Sequence, residues 1–306
     1  QAPAAPDGRQ HLPEQLQRTF SQPWERQAQI RLFVFYGAGD SFPAWAGFLD
    51  SAPLWADVVV YEWPSHGIRR DEALPADASG AAADAMVELG PVLQQHALGG
   101  YVAGAPFALV GHSAGALVML GVARQARMMY GVEPCCIFIL DRGSPETPLC
   151  SDAGAKVLRD NPEQFIRHVT PFVNSFRDDA EGRRMLEMYM GDIKLQQDTQ
   201  PHGYHTFRCD VFVFRALKNW TQDAEEAQQA LTSEQRAWHC ERADLLGSKP
   251  GSGALFDSET YEAWAHWTTG RCSVFDVDAD HNTIKWHRDF QKELWKALSK
   301  AKVVMP

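Results

Sequence analysis

The chain has 306 residues, 45% of them hydrophobic and 22% charged, an ordinary globular balance that excludes a disordered, collagen-like or coiled-coil protein. Asp and Glu outnumber Lys and Arg by 39 to 29, and the net charge of −10 argues against nucleic acid and anionic lipid as partners. Six cysteines without CxxC spacing are too sparse for a disulfide framework and suggest no metal site, so a reducing, cytoplasmic setting is expected. No apolar run approaches the ~18 residues a membrane span needs. No signal peptide is visible, but the sequence does not begin with Met, which leaves organelle targeting open.

Residues 1–29 mix Pro, Gln, Arg and Ala without a period and read as a tail or linker. Residues 30–306 read as one α/β core. Ile30–Tyr36 and Val58–Trp63 are short apolar runs stopped by Gly37-Ala38-Gly39 and by Pro64-Ser65-His66-Gly67, the pattern of buried strands. A short helix is expected near Ala44–Ser51, and a long Ala-rich one over Asp77–Leu98, kinked or broken before Pro91. Phe107–Val110, Cys136–Leu140, Val211–Arg215 and Cys272–Val277 continue the strands, with helices over Ala114–Tyr130 and Ile284–Ser299. Strands alternating with helices predict a mostly parallel sheet covered on both faces. Residues 143–209 contain no convincing strand and read as a helical insertion, a lid.

Gly111-His112-Ser113-Ala114-Gly115 follows a predicted strand and opens a predicted helix. In that context a G-x-S-x-G motif marks a nucleophile on a sharp turn, the glycines being required because side chains there would strike neighbouring backbone. A serine nucleophile needs an imidazole to take its proton and a carboxylate to orient that imidazole. Asp141 ends the strand Cys136–Leu140, 28 residues after Ser113, at the same expected sheet edge. The alternative position after Val211–Arg215 offers Lys218 and Asn219 and no carboxylate before Asp223. His281 follows the last strand and is favoured as the base over His287, which falls in a helix. His112 reads as structural, and His202 and His205 as a surface turn. The oxyanion donors are expected at the backbone N–H groups of Ala114 and Ala38.

FALVGHSAGALVML and RLFVFYGAGDSFPAWAGFL resemble the nucleophile segment and first strand of thioesterases that terminate polyketide, non-ribosomal peptide and fatty-acid synthesis. IFILDRGSPE and DADHNTI are similar to the segments that hold the catalytic Asp and His in fatty acid synthase thioesterases, which places those roles on Asp141 and His281. VVVYEWPSHGIRRDE looks more like the stand-alone editing enzymes, so the two subtypes are mixed. The resemblance implies an α/β-hydrolase fold, a lid roofing an acyl channel, no metal or redox cofactor, and a substrate carried on the phosphopantetheine of an acyl carrier protein. Met185, Met188 and Tyr189 are candidate substrate-binding residues of that lid, an amphipathic core helix being the plainer reading. Trp220, Trp264 and Trp267 are further pocket candidates. Residues 247–253 superficially suggest a phosphate loop but lack the preceding strand. An acidic carrier would need a local basic surface, for which Arg69 with Arg70, or Arg183 with Arg184, are candidates. The catalytic residues fit release of the acyl chain by water or, as a ring, by one of its own hydroxyl or amine groups; an esterase acting on oxygen esters, and a non-catalytic carrier-binding protein of the same fold, are the competing readings.

Overall fold

A computed structural model describes residues 29–97, 106–199, 206–218, 233–247 and 254–301. Expectations for residues 1–28, for Asn219, Trp220, Asp223, His202 and His205, and for the 248–253 loop lie outside them. Six strands form one sheet: β1 (Ile30–Phe35), β2 (Ala56–Tyr61), β3 (Phe107–His112), β4 (Cys136–Leu140), β5 (Asp210–Ala216) and β6 (Cys272–Val277). Their order is β2-β1-β3-β4-β5-β6 and every pairing is parallel. β1 and β3 are buried at every residue, which explains why both read as unbroken apolar runs rather than as alternating ones. β6 lies on an edge and is half-exposed; there Arg215 of β5 pairs with Asp276 across the last ladder.

The helices that cover the sheet are α1 (Ala46–Asp50), α2 (Ala78–Ala97), α3 (Ala114–Tyr130) and α9 (Arg288–Ala301). α9 buries Phe290, Leu294 and Leu298, one face at a four-residue spacing. α2 runs through Pro91 without a break, contrary to expectation. Pro91 and Val87, four residues before it, both lie on the exposed face, so the carbonyl that the missing N–H leaves without a helical partner is on the solvent side. The C-terminal helix starts later than expected, after a 3₁₀ turn at Ile284–Trp286.

Between β4 and β5 stand α4 (Asp152–Asp160), α5 (Pro162–Val169) and α6 (Ala180–Asp198), as an insertion. The roof has a second contributor that the sequence did not announce. α7 (Ser233–Leu246), from the stretch between β5 and β6, docks on α4 and α5: Ser151 Oγ donates to the Asp244 carbonyl (2.7 Å) and Arg242 Nε to the Val169 carbonyl (2.9 Å). Leu245 joins Leu158, Phe165, Ile166 and Leu186 in an apolar cluster separate from the sheet core. A short helix, α8 (Ser258–Glu262), precedes β6.

After β2 the chain returns to the opposite side of β1, so the strand order reverses between β1 and β3. Ligand crevices in open parallel sheets form at the carboxyl ends of strands at such a switch point. Gly37–Gly39 follows β1, Ser113 follows β3 and Asp141 follows β4, which brings three predicted site segments to one edge.

Candidate active site

Ser113 holds φ 51° and ψ −122° between β3 and α3, a conformation L residues rarely adopt and one that stores on the order of 1–3 kcal/mol. The flanking glycines allow it. A Cβ on Gly111 would stand 2.4 Å from Ala116 Cα, and one on Gly115 2.1 Å from the Phe35 carbonyl oxygen. The Ser113 N–H donates to the Leu140 carbonyl at 3.0 Å, which ties the turn to β4.

Asp141 also has a positive φ, 46°, and is wholly buried. Its Oδ2 lies 2.7 Å from His281 Nδ1, while Oδ1 accepts from Tyr261 OH (2.8 Å) and from the Ala216 N–H (3.1 Å). Burial alone would raise this carboxyl. The hydrogen bond and charge of His281, with the two donors on Oδ1, outweigh it and hold Asp141 below the usual carboxylate range. Because Nδ1–H donates to the carboxylate, His281 Nε2 is left as the acceptor.

His112 joins this arrangement, although in sequence it read as merely structural. Its Nε2–H donates to the His281 carbonyl at 2.7 Å, the two rings lie 4.8 Å apart, and burial pushes the buried His112 imidazole toward its neutral form. Thus the residue before Ser113 anchors the loop that carries His281. Tyr261 was missed altogether, since a lone tyrosine in the mixed stretch before the last strand carries no motif. On the β1 side, Gly37 closes against the turn: its Cβ would sit 2.9 Å from His112 Nδ1 and 3.0 Å from Ser113 Cβ. Asp40, three residues on, is held by the buried Lys285. Ala38 thus sits in a braced loop beside Ser113, and Ala114 opens α3 directly after it.

Ser113, His281, Asp141 and Ala38 line one cavity of about 230 Å³. Leu149, Phe165, Val169, Ile193, Leu246 and Phe256 supply apolar wall, and Tyr189 lies among them. Met185 and Met188 do not line it, contrary to expectation: both are partly exposed, Met185 one turn before the cavity-lining Tyr189 and Met188 directly beside it on α6. Trp264 and Trp267 are packing residues that donate to the Arg142 carbonyl and to Glu146. Arg142 reaches the cavity as a buried cation, pulled down to about 10 by desolvation, with its guanidinium 5.3 Å from the Phe256 ring.

The basic pairs fare differently from expectation. Arg69 is buried and bonded to Glu72 and Asp84, which removes it as a docking residue. Arg70, Arg183 and Arg184 each stand within 4 Å of a carboxylate, those of Asp71, Asp178 and Glu181. No helix among the described residues is long and apolar enough to cross a membrane.

A family model described as the thioesterase domain matches residues 31–299, nearly the whole described chain. The chain belongs to the thioesterase domain family. Among curated relatives, it is 30% identical over 141 residues to linear gramicidin dehydrogenase LgrE of Brevibacillus parabrevis, covering 46% of this chain and 49% of that protein. It is 28% identical to gramicidin S biosynthesis protein GrsT of Aneurinibacillus migulanus, covering 61% of this chain and 70% of the relative. The chain therefore spans about half the length of the first of these relatives. In structure, this thioesterase domain is similar to the RedJ thioesterase from the prodiginine pathway of Streptomyces coelicolor (TM-score 0.63, 18% identity, 91% of this chain and 89% of that one). It is also similar to the type II thioesterase BorB from the borrelidin cluster (TM-score 0.64, 16% identity, 91% and 96%). At these identities the likeness shows a shared fold, and the parallel six-stranded sheet of this thioesterase domain is that fold.

Proposed function

We propose that the protein hydrolyses acyl thioesters through an acyl-enzyme on Ser113. The observation that carries this reading is the 2.7 Å Asp141–His281 contact at the wall of a cavity that also holds Ser113 on its strained turn. Ser113 Oγ attacks the thioester carbonyl as its proton passes to His281 Nε2, and the buried Asp141 carboxylate stabilises the imidazolium. The N–H groups of Ala38 and Ala114 take the negative charge that develops on the carbonyl oxygen. Collapse breaks the C–S bond, and Nε2–H protonates the departing thiolate. Water, deprotonated at the same nitrogen, then attacks the acyl-serine and releases the acid. This chemistry uses the chain's own side chains and calls for no metal or redox cofactor.

The thiol is the phosphopantetheine arm of a carrier protein, and the setting is modular peptide or polyketide assembly. Support comes from the relatives: one is named for gramicidin S biosynthesis, and similar structures are titled as thioesterases of prodiginine and borrelidin biosynthesis. The apolar wall of the cavity suits an acyl chain, and no continuous basic face stands among Arg69, Arg70, Arg183 and Arg184 to grip a carrier. Carrier contact is accordingly local and weak.

The test is mass spectrometry of the intact protein after exposure to acyl-pantetheine thioesters, alongside kcat/KM for matched thioester and oxygen-ester substrates. An adduct of acyl mass that vanishes in Ser113→Ala, with turnover reduced at least about 10³-fold, is expected. An adduct that survives that substitution refutes the assigned nucleophile, and a strong preference for oxygen esters refutes the thioester assignment.

A further inference from the structure

The loop after β1 is held from two sides. Lys285 grips Asp40 from the sheet side, and Asp192 of the roof helix α6 grips Gly39 from above: its Oδ2 accepts the Gly39 N–H at 2.8 Å. Gly39 has φ +72°, and a Cβ there would meet the Tyr189 ring at 2.4 Å, so α6 seats directly on the loop backbone next to Ala38. Asp192 is fully buried, and so is its second partner, His66, whose Nε2 lies 3.0 Å from the same Oδ2. The other ring nitrogen of His66 faces the Pro64 carbonyl at 3.0 Å. Carbonyl and carboxylate oxygens only accept, so both bonds form together when the imidazole carries two protons.

Charged and titratable groups face His66 from each element packed on it. These are Asp192 from α6, Glu62 from the end of β2, and Tyr36 from the end of β1, whose hydroxyl donates to Glu62 at 2.6 Å. Burial disfavours the charged ring. The Asp192 carboxylate, the Pro64 carbonyl and Glu62 outweigh it and hold His66 above its ordinary value. A buried charge pair is by itself weak evidence of added stability, and this one contacts none of the three catalytic side chains. Its effect here falls on the backbone amide beside the oxyanion donor.

We propose that Asp192, held by His66, is a positioning residue: it fixes the Gly39 amide and with it the adjoining Ala38 N–H, so that the oxyanion hole is complete only while α6 is seated. This rests on the reading of Ser113 as nucleophile and Ala38 as oxyanion donor. Withdrawal of α6 to admit a carrier-bound chain would take the acceptor from Gly39 and loosen the hole. Hydrolysis then waits for the roof to return.

The experiment compares the full-length wild type with Asp192→Asn, Asp192→Ala, His66→Gln and His66→Ala. Two rates are read: labelling of Ser113 by a fluorophosphonate, and kcat and KM for hexanoyl-N-acetylcysteamine. Both reactions place charge in the oxyanion hole. Asp192→Ala should lower kcat and the labelling rate by a common factor of about ten or more, with KM changed less than about twofold, and Asp192→Asn should fall between it and wild type. His66→Gln, whose amide N–H can still reach Asp192, should recover most of what His66→Ala loses. It should also lack the alkaline decline that deprotonation of His66 gives the wild type. A change confined to KM, or a labelling rate equal to wild type in folded Asp192→Ala, overturns the proposal. Where Asp192→Ala does not fold, Asp192→Asn and the His66 pair decide, and equal losses in His66→Gln and His66→Ala overturn it. Labelling needs no thioester. A protein that labels at Ser113 yet turns over no thioester defeats the substrate reading alone, and the labelling rates still judge Asp192.

Discussion

Asp141 concentrates the demands of the site in one side chain, because it is buried, has a positive φ and accepts from His281, Tyr261 and the Ala216 amide. Asp141→Asn leaves the shape but removes the charge that, in the proposed mechanism, orients and stabilises the imidazolium. Thioester kcat should fall by about 10³–10⁴, measured with an acyl-N-acetylcysteamine. The same carboxyl makes stability depend on pH. It is held below its unfolded value, so its contribution is fully present above the unfolded pKa of about 3.9 and is lost as pH falls through the folded value. Urea unfolding at stepwise lower pH should show wild type losing stability more steeply than Asp141→Asn. Tyr261→Phe removes one donor to the charged oxygen and should cost about 1.5–3 kcal/mol of stability, read in the same unfolding experiment.

At the scale of elements, the turn between β3 and α3 shows why its glycines differ from others in the chain. A methyl group on Gly115 would meet the carbonyls of Phe35 and Tyr36, backbone at the end of a central strand that cannot yield. Gly115→Ala should destabilise the protein by at least about 3 kcal/mol. Gly131, which ends α3 with φ +69°, has nothing within 4 Å of the added carbon. Gly131→Ala should therefore cost only the left-handed conformation, about 1–2 kcal/mol, and chemical denaturation of the two variants side by side tests the contrast. The elbow was legible in sequence because its motif fits within five residues, although the carbonyls that exclude a side chain at Gly115 belong to the distant end of β1. The unbroken α2 was not, because whether a proline breaks a helix depends on which face it occupies, and that is set by what the helix packs against.

At the scale of the whole molecule, the cavity is closed by two insertions that meet. A Cβ on Gly154 of α4 would lie 2.1 Å from the Leu245 carbonyl of α7, so the helices touch with no room for a side chain. Gly154→Val should force them apart, and limited proteolysis should then cut the roof segments faster than in wild type. Sequence reading placed the roof in residues 143–209 alone. α7 escaped it because its apolar residues have no marked helical stripe and its partners lie about 90 residues earlier in the chain. Met185 and Met188 were misplaced for a related reason: composition marks a helix as apolar but does not say which of its residues face the cavity.

By itself the sequence determined the parallel sheet, the sharp turn at Ser113, and the sheet edge to which Asp141 and His281 are brought. Strands buried on both faces must be continuously apolar, and a serine on a sharp turn must be flanked by residues without side chains. Only the tertiary structure decided the second roof element, the anchoring of His281 by His112, the support of Asp141 by Tyr261, and the link from His66 through Asp192 to Gly39. Those contacts join residues as far as 169 positions apart. Such pairs leave no local pattern, because each partner's residue type is ordinary where it stands and acquires its role only from what the fold brings against it.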